Sequence, residues 1–478
     1  MSQNAAPDFH IPEPDTRPSS SDLWFFSYLP WSLYNGLSTP LIPLLAIALY
    51  NADSPLIIAI IVAASTLTEV PFTIFWGNVS DRIRHRKYFV VLSFTATGFV
   101  LFAMPFAPNL VDYLLLNILE GVCSAASTPI GTMLLLETRR KHWWARDVGV
   151  FGLVSGIGSA MGLAIGGIFL YGFATQGSYS LGLVGAMQFL LLLSGALAFL
   201  SAVLAYAWIE EPEQHLDRNI IDLGGQLHRG AVERIRGFRK RVLHVVDLAR
   251  GEAIPLTAVE ILLFISLLLV SFGSQTFYGT FIFFLTAGSG ANLGQDMVFF
   301  VFFASAAAST ALFYHSGIAA ERYSPKRLFI GTTWIRAALI PLFLLSGYYL
   351  VGRPGLMAVM MMALNANMGV VWAFTSTAST LFLLRLLKGA GNKGKALGIY
   401  NAVVGFGGLI GTIFGGWLYN VTDSATAYLV AMAIVIVGGL IILPIPLHQV
   451  PYSHKHMPVR GTSPVPRPSK PPLHRWES

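Results

Sequence analysis

Apolar residues along the chain gather into twelve runs separated by short polar breaks. They fall at residues 23–50, 54–77, 87–107, 110–137, 147–172, 180–209, 255–286, 292–316, 326–350, 354–386, 396–420 and 424–447. A helix needs about 20 mainly apolar residues to cross ~30 Å of hydrocarbon, where its backbone must satisfy its own hydrogen bonds. Every run meets that length, and the longer ones imply tilt or ends that stand out of the membrane. Two longer polar stretches, 210–254 and 448–478, interrupt the pattern. The expectation is an all-α membrane protein with twelve transmembrane helices.

Composition agrees. Hydrophobic residues make up 54% of the chain and charged residues 12%, with mean hydropathy +0.62. Soluble domains carry roughly 25% charged residues, so this chain has too few ionised groups to wet a globular surface. With residue 1 placed inside, 29 of the 31 lysines and arginines fall on the inner side. Arg353 lies outside and Arg336 within the ninth run, while Asp53, Asp112, Asp296 and Asp423 mark the outer loops. This positive-inside bias predicts a multi-pass protein of the plasma membrane with both termini cytoplasmic. It also accounts for the net charge of +7 without nucleic acid. Residues 1–22 lack the basic start of a signal peptide. Cys123 is the single cysteine, which excludes an intramolecular disulfide and a cysteine-based metal cluster.

These patterns divide the chain into a cytoplasmic N-terminal tail (1–22), a six-helix bundle (23–210), a basic linker (211–254), a second six-helix bundle (255–447) and a proline-rich, disordered tail (448–478). In the linker, Val232, Ile235, Phe238, Val242 and Val245 recur at helical spacing among Arg234, Arg239, Lys240 and Arg241. Two readings stay open there: an amphipathic helix on the anionic inner leaflet, or a solvated linker with helical tendency.

The two bundles are copies of one another. Shifted by 249 positions, Gly149, Gly156, Gly158, Gly162, Gly166 and Gly167 of the fifth run fall on Gly398, Gly405, Gly407, Gly411, Gly415 and Gly416 of the eleventh. Asn117 and Gly121 match Asn365 and Gly369 at a shift of 248. The segment Gly77 to Arg82 answers Gly317 to Arg322 at a shift of 240. Glycines at spacing four make a smooth stripe that lets helices approach closely, held in lipid by dispersion. Two parallel six-helix halves follow.

Twelve spans in two parallel halves, with the Gly77–Lys87 loop between the second and third, resemble the major facilitator superfamily. That family's loop signature is Gly-x-x-x-Asp-Arg-x-Gly-Arg-Arg/Lys. Here Gly77, Asp81, Arg82 and Arg86 keep it, while Arg84 and His85 depart from it. Gly162-Leu-Ala-Ile-Gly166-Gly167 resembles the family's antiporter pattern, with leucine in place of proline, and Asn117 stands where the family's motif has arginine. The resemblance implies the major facilitator fold of two pseudo-symmetric six-helix bundles, rocking about a site near the mid-plane. It also implies an inner gate built from Gly77, Asp81, Arg82 and Arg86, repeated by Glu321 and Arg322, and a pathway lined by spans one, four, seven and ten.

Ionisable groups inside spans are costly and mark function. Glu120 shares a helical stripe with Asn117, Gly121, Ser124 and Thr128 and is the first candidate for proton coupling. Glu69, eight residues before Gly77, is either a second proton site or half of a buried ion pair. Arg336 is expected to make a structural pairing, because the ninth span of the family is peripheral. Glu260 lies near the start of its span and reads as a snorkelling or capping residue. Tyr34, Asn35, Asn117, Gln275, Tyr278, Asn365, Asn367 and Trp372 are the neutral candidates for the cavity wall. Such a wall suits a neutral or cationic organic solute.

Gly389 to Ala396 nearly spells a phosphate-binding loop, but it has alanine at the hydroxyl position and follows a membrane helix in place of a strand. No hydrolase, metalloprotease or metal-ligand motif occurs, so neither enzyme activity, a cofactor nor a metal is expected. The expected function is a monomeric secondary transporter moving a small organic solute by alternating access, coupled to protons and exporting. The alternative is an uncoupled facilitator, a lipid flippase or a transport-inactive sensor of the same fold.

Overall fold

The computed structural model describes residues 20–83, 85–138, 144–176, 182–211, 258–288, 290–386 and 393–445. Most of the N-terminal tail, the linker from 212 and the C-terminal tail therefore lie outside the described residues, as do the expectations made for them.

Thirteen α-helices are present among the described residues: α1 (Tyr28–Tyr50), α2 (Pro55–Ile83), α3 (Arg86–Ala103), α4 (Leu110–Ser124), α5 (Ser127–Thr138), α6 (Trp144–Gln176) and α7 (Gly182–Trp208) in the first half, then α8 (Ala258–Thr286), α9 (Gln295–Arg322), α10 (Pro325–Tyr349), α11 (Pro354–Leu386), α12 (Lys393–Val421) and α13 (Ser424–Ile441). They supply twelve stretches long and apolar enough to cross a membrane. Within the first half, α1 packs on α6 and α7, α2 on α4, and α3 on α4, α5 and α7. The second half repeats this: α8 packs on α12 and α13, α9 on α11, and α10 on α11 and α13.

One expectation is corrected here. The fourth run is not a continuous helix over 110–137 but is broken at Ala125 and Ala126. Pro129 has no N–H to donate to the Ala125 carbonyl four residues back, and Thr73 Oγ1 on α2 donates to that carbonyl instead, at 3.4 Å. At the far end of the chain, α13 stops at Ile441, six residues short of the expected limit, and a turn follows.

The repeat is visible atom by atom. Asn117 Nδ2 donates to the Ile61 carbonyl at 2.7 Å, and Asn365 Nδ2 donates to the Val301 carbonyl at 2.9 Å. Gly121 sits on the backbone of Ser65, and Gly369 on that of Ser305, 240 positions on. Gly158 and Gly162 of α6 rest on the Leu29–Leu37 stretch of α1, as Gly407, Gly411 and Gly415 of α12 rest on Leu268, Phe272 and Thr276 of α8. At Gly162 and Gly411 a Cβ would overlap a carbonyl of the facing helix. Backbone-to-backbone approach of this kind maximises dispersion where lipid offers no hydrophobic drive. The short α1–α2 and α8–α9 connections also agree, each carrying an asparagine at φ 49°, Asn51 and Asn292, a left-handed conformation that asparagine tolerates well.

The start of the third span in each half is tied to the end of the sixth. In the first half, Glu211 accepts from the Arg86 and Lys87 amides at 2.5 and 3.1 Å. In the second, buried Lys326 donates its Nζ to the Leu443 carbonyl at 2.8 Å and to the Ile445 carbonyl.

The halves meet along two seams, α6 with α9 and α2 with α12. Gly166 and Gly167 face Phe299 and Phe300, Gly156 faces Thr310, Gly405 faces Val70, and Gly416 packs on Pro55 and Ala59. Ser54 Oγ donates to Asn420 Oδ1 at 2.9 Å, joining the halves at the end that bears the α1–α2 turn. Toward the other end, Gly77, Gly152 and Gly317 have open space around them.

Candidate substrate cavity

A cavity of about 290 Å³ opens between α1, α2 and the α4–α5 pair. The four-residue geometry of α4 builds one wall, because residues three, four and seven apart share a face. Asn117, Glu120 and Ser124 line it on that stripe, and Ser127 and Thr128 continue it beyond the break. Asn35, Ser38 and Thr39 come from α1, and Ser65, Thr66 and Glu69 from α2.

Glu120 is the buried acid of this wall, 7% exposed. Tyr34, fully buried on α1, donates its phenol to Glu120 Oε1 at 2.6 Å. That length is typical of a hydroxyl held by a carboxylate. Glu69 is exposed within the same cavity, on the facing helix. Asn117 spends its amide N–H on Ile61, and its Oδ1 is left buried with no partner among the described residues. Asn35 bonds back to the Trp31 carbonyl at 3.1 Å while lining the cavity.

In the second half, Tyr278 donates to Asn365 Oδ1 at 3.1 Å, so both serve an α8–α11–α9 hydrogen-bond chain. Gln275 rests half-buried against Gly408. Asn367 leaves the cavity set: it lies about 200° around α11 from Asn365, is exposed, and bonds to Ala363 of its own helix. Leu119, its counterpart in the first half, is likewise exposed and does not line the cavity. Trp372 is on the Asn365 side of α11 and is 50% exposed.

Arg336 faces protein, as a structural pairing requires. It is buried, donates Nη1 to Ser274 Oγ on α8 at 2.9 Å, and lies 5.8 Å from the centre of the Trp372 ring. No carboxylate pairs with it among the described residues. A peripheral helix thus delivers a cation to the two helices that correspond to the cavity wall. The sequence signal was a lone arginine in an apolar run, and its target could not be read without the packing.

At the candidate gate, Arg86 Nη1 donates to Ser80 Oγ at 2.8 Å within its own half. Arg322 is exposed. The side chains of Asp81, Arg82 and Glu321 lie outside the described residues. No group of three or more histidine, cysteine or acidic residues able to hold a metal occurs among the described residues.

The sequence pattern that defines the Major Facilitator Superfamily matches residues 24–387. The chain belongs to that superfamily. It is a multi-pass membrane transporter and not an enzyme. Among solved structures it is similar to a D-xylose–proton symporter, with TM-score 0.66 and 15% identity over 91% of this chain and 99% of that one. It is also similar to the xylose transporter XylE from E. coli in an inward-open conformation, with TM-score 0.62 and 14% identity over 89% and 98%. A third is the nucleoside transporter NupG, with TM-score 0.62 and 14% identity over 89% and 97%. At these identities the likeness is one of fold. A comparison with curated proteins finds no significant match.

Proposed function

We propose that this superfamily member moves a small organic solute by alternating access and couples that movement to protons through Glu120. The observation that carries the reading is the Tyr34–Glu120 pair set into the wall of a polar cavity between α1, α2 and α4. Closing a cavity on an uncompensated carboxylate costs several kcal/mol. The closed form is therefore reached when Glu120 holds a proton or faces a cationic group of the solute. Competition for one acid exchanges the two, and Tyr34 steadies the carboxylate between them. Glu69 on the facing wall adds a second acceptor and a second proton site.

Residues 23–210 and 255–447 act as the two rocking bodies, with the glycine seats of α6 and α12 as their sliding surfaces. Asp81, Arg82, Glu321 and Arg322 form the gate at the end where Gly77 and Gly317 stand open. Both termini face the cytoplasm of a plasma-membrane protein that works as a monomer. Export is the proposed direction, on the Gly162–Gly167 pattern. Proton coupling agrees with the D-xylose–proton symporter among the proteins of similar fold.

The test is flux in inverted vesicles. Glu120→Gln is expected to preserve the fold and abolish pH-driven solute movement while leaving any downhill exchange. Unchanged pH-driven flux in this variant would take the coupling away from Glu120, and absence of pH-driven flux in the parent would establish the uncoupled facilitator.

A further inference from the structure

Arg336 stands in the second half where the first half has its cavity. Its two partners show this through the repeat. Ser274 is the counterpart of Asn35 at a shift of 239, the same shift that relates the glycine seats Leu33 and Phe272. Trp372 is the counterpart of Ser124 at the shift of 248 that relates Asn117 and Asn365. Asn35 and Ser124 both line the acidic cavity. The cavity helices α1 and α2 both reach α8 across the seam, so the two faces border one pathway.

Their chemistry is opposite. The first-half face offers acceptors: the Glu69 and Glu120 carboxylates and the buried, unpartnered Asn117 Oδ1. The second-half face offers a buried guanidinium with a single hydrogen bond among the described residues, to Ser274. The Trp372 ring, 5.8 Å from the guanidinium carbon, is a cation–π neighbour and not a hydrogen-bond acceptor, so N–H groups beyond the one given to Ser274 are left for a planar anion. A buried cation without a counter-ion is costly, and a bound anionic group removes that cost.

We propose that the transported solute is a zwitterion, its ammonium held by Glu120, Glu69 and Asn117 Oδ1 and its carboxylate by Arg336. This rests on the transport reading above and names its substrate class. Opposite poles on opposite halves also give the solute a mechanical role: only a molecule carrying both can draw the two bodies together.

The test uses purified full-length protein and ω-amino carboxylates from β-alanine up to aminooctanoate, each beside the alkylamine and the alkyl carboxylate of equal length, with binding read by calorimetry. At least one zwitterion should bind roughly tenfold or more tighter than its matched amine, about 1.4 kcal/mol. Arg336→Gln should remove that advantage and leave amine binding unchanged. Equal affinity for zwitterion and amine, no binding by any member of the series, or an advantage that survives Arg336→Gln overturns the proposal. Should Arg336→Gln fail to fold, Arg336→Lys decides: selective loss of the zwitterion's advantage supports the proposal, and parallel loss of amine and zwitterion overturns it. Flux in liposomes separates the two readings. A zwitterion that binds through Arg336 but is not carried defeats the transport reading alone. Glu120-dependent carriage of an alkylamine, with no preference for the zwitterion, defeats this one alone.

Discussion

Tyr34 on α1 donates its phenol to Glu120 on α4 at 2.6 Å, with both residues buried. The bond joins the two helices of the first half that carry its cavity chemistry, and it makes their packing depend on the charge of one carboxylate.

The first prediction concerns that bond. Hydrogen bonds to charged groups contribute about 1.5–3 kcal/mol, so Tyr34→Phe is expected to lower stability by that order. Glu120→Gln keeps an acceptor and should cost less. The double variant should be less destabilised than the sum of the singles, because both remove one interaction. Thermal unfolding of the four proteins checks this; strict additivity contradicts it.

Glycine seats supply the second. Gly162→Ala and Gly411→Ala each push a methyl into a facing backbone carbonyl, and overpacking of this kind costs about 1–3 kcal/mol. Gly77→Ala and Gly152→Ala meet open space and should stay within about 0.5 kcal/mol of the parent. Equal effects at all four sites would refute the assigned packing.

A third follows from Lys326. Its Nζ holds the Leu443 and Ile445 carbonyls, where the last turn beyond α13 has lost helical partners. Lys326→Met should speed hydrogen exchange at the end of α13 and leave α8 protected. Unchanged exchange there would show that the lysine does not hold that end.

Asp423 gives a fourth, outside the membrane-spanning segments. Its Oδ1 accepts the Thr426 amide at 2.7 Å as the N-cap of α13, and this bond holds its carboxyl below the usual range. A depressed folded value means that the stabilisation is present above the unfolded value and is lost as pH falls through the folded one. Protection of the Thr426 amide, taken against its intrinsic exchange rate at each pH, should therefore fall on the acid side in the parent. Asp423→Asn should keep the cap and lose this pH dependence, whereas Asp423→Ala should weaken the cap by about 0.5–2 kcal/mol at neutral pH.

Much of this was legible in the residues because it depends on spacing along one helix. The twelve spans follow from the lengths of the apolar runs, and the glycine register between α6 and α12 and the stripe of Asn117, Glu120 and Ser124 arise from periods of three, four and seven. The break before Pro129 was within reach too, since a missing N–H frees a known carbonyl. Asn367 fails the same angular test that Asn365 and Trp372 pass. Arg336 could not be placed, because its partners lie 62 residues back at Ser274 and on a third helix at Trp372. Direction along one helix is written locally, whereas the neighbour that a side chain meets is set by the whole bundle.

The most direct test of two rocking halves uses the pair that joins them. Ser54 and Asn420 touch across the seam at the end bearing the α1–α2 turn. In a Cys123→Ser background, Ser54→Cys with Asn420→Cys should cross-link on oxidation, and solute flux in liposomes should stop and then return on reduction. Full flux with the cross-link intact would contradict alternating access by these two bodies.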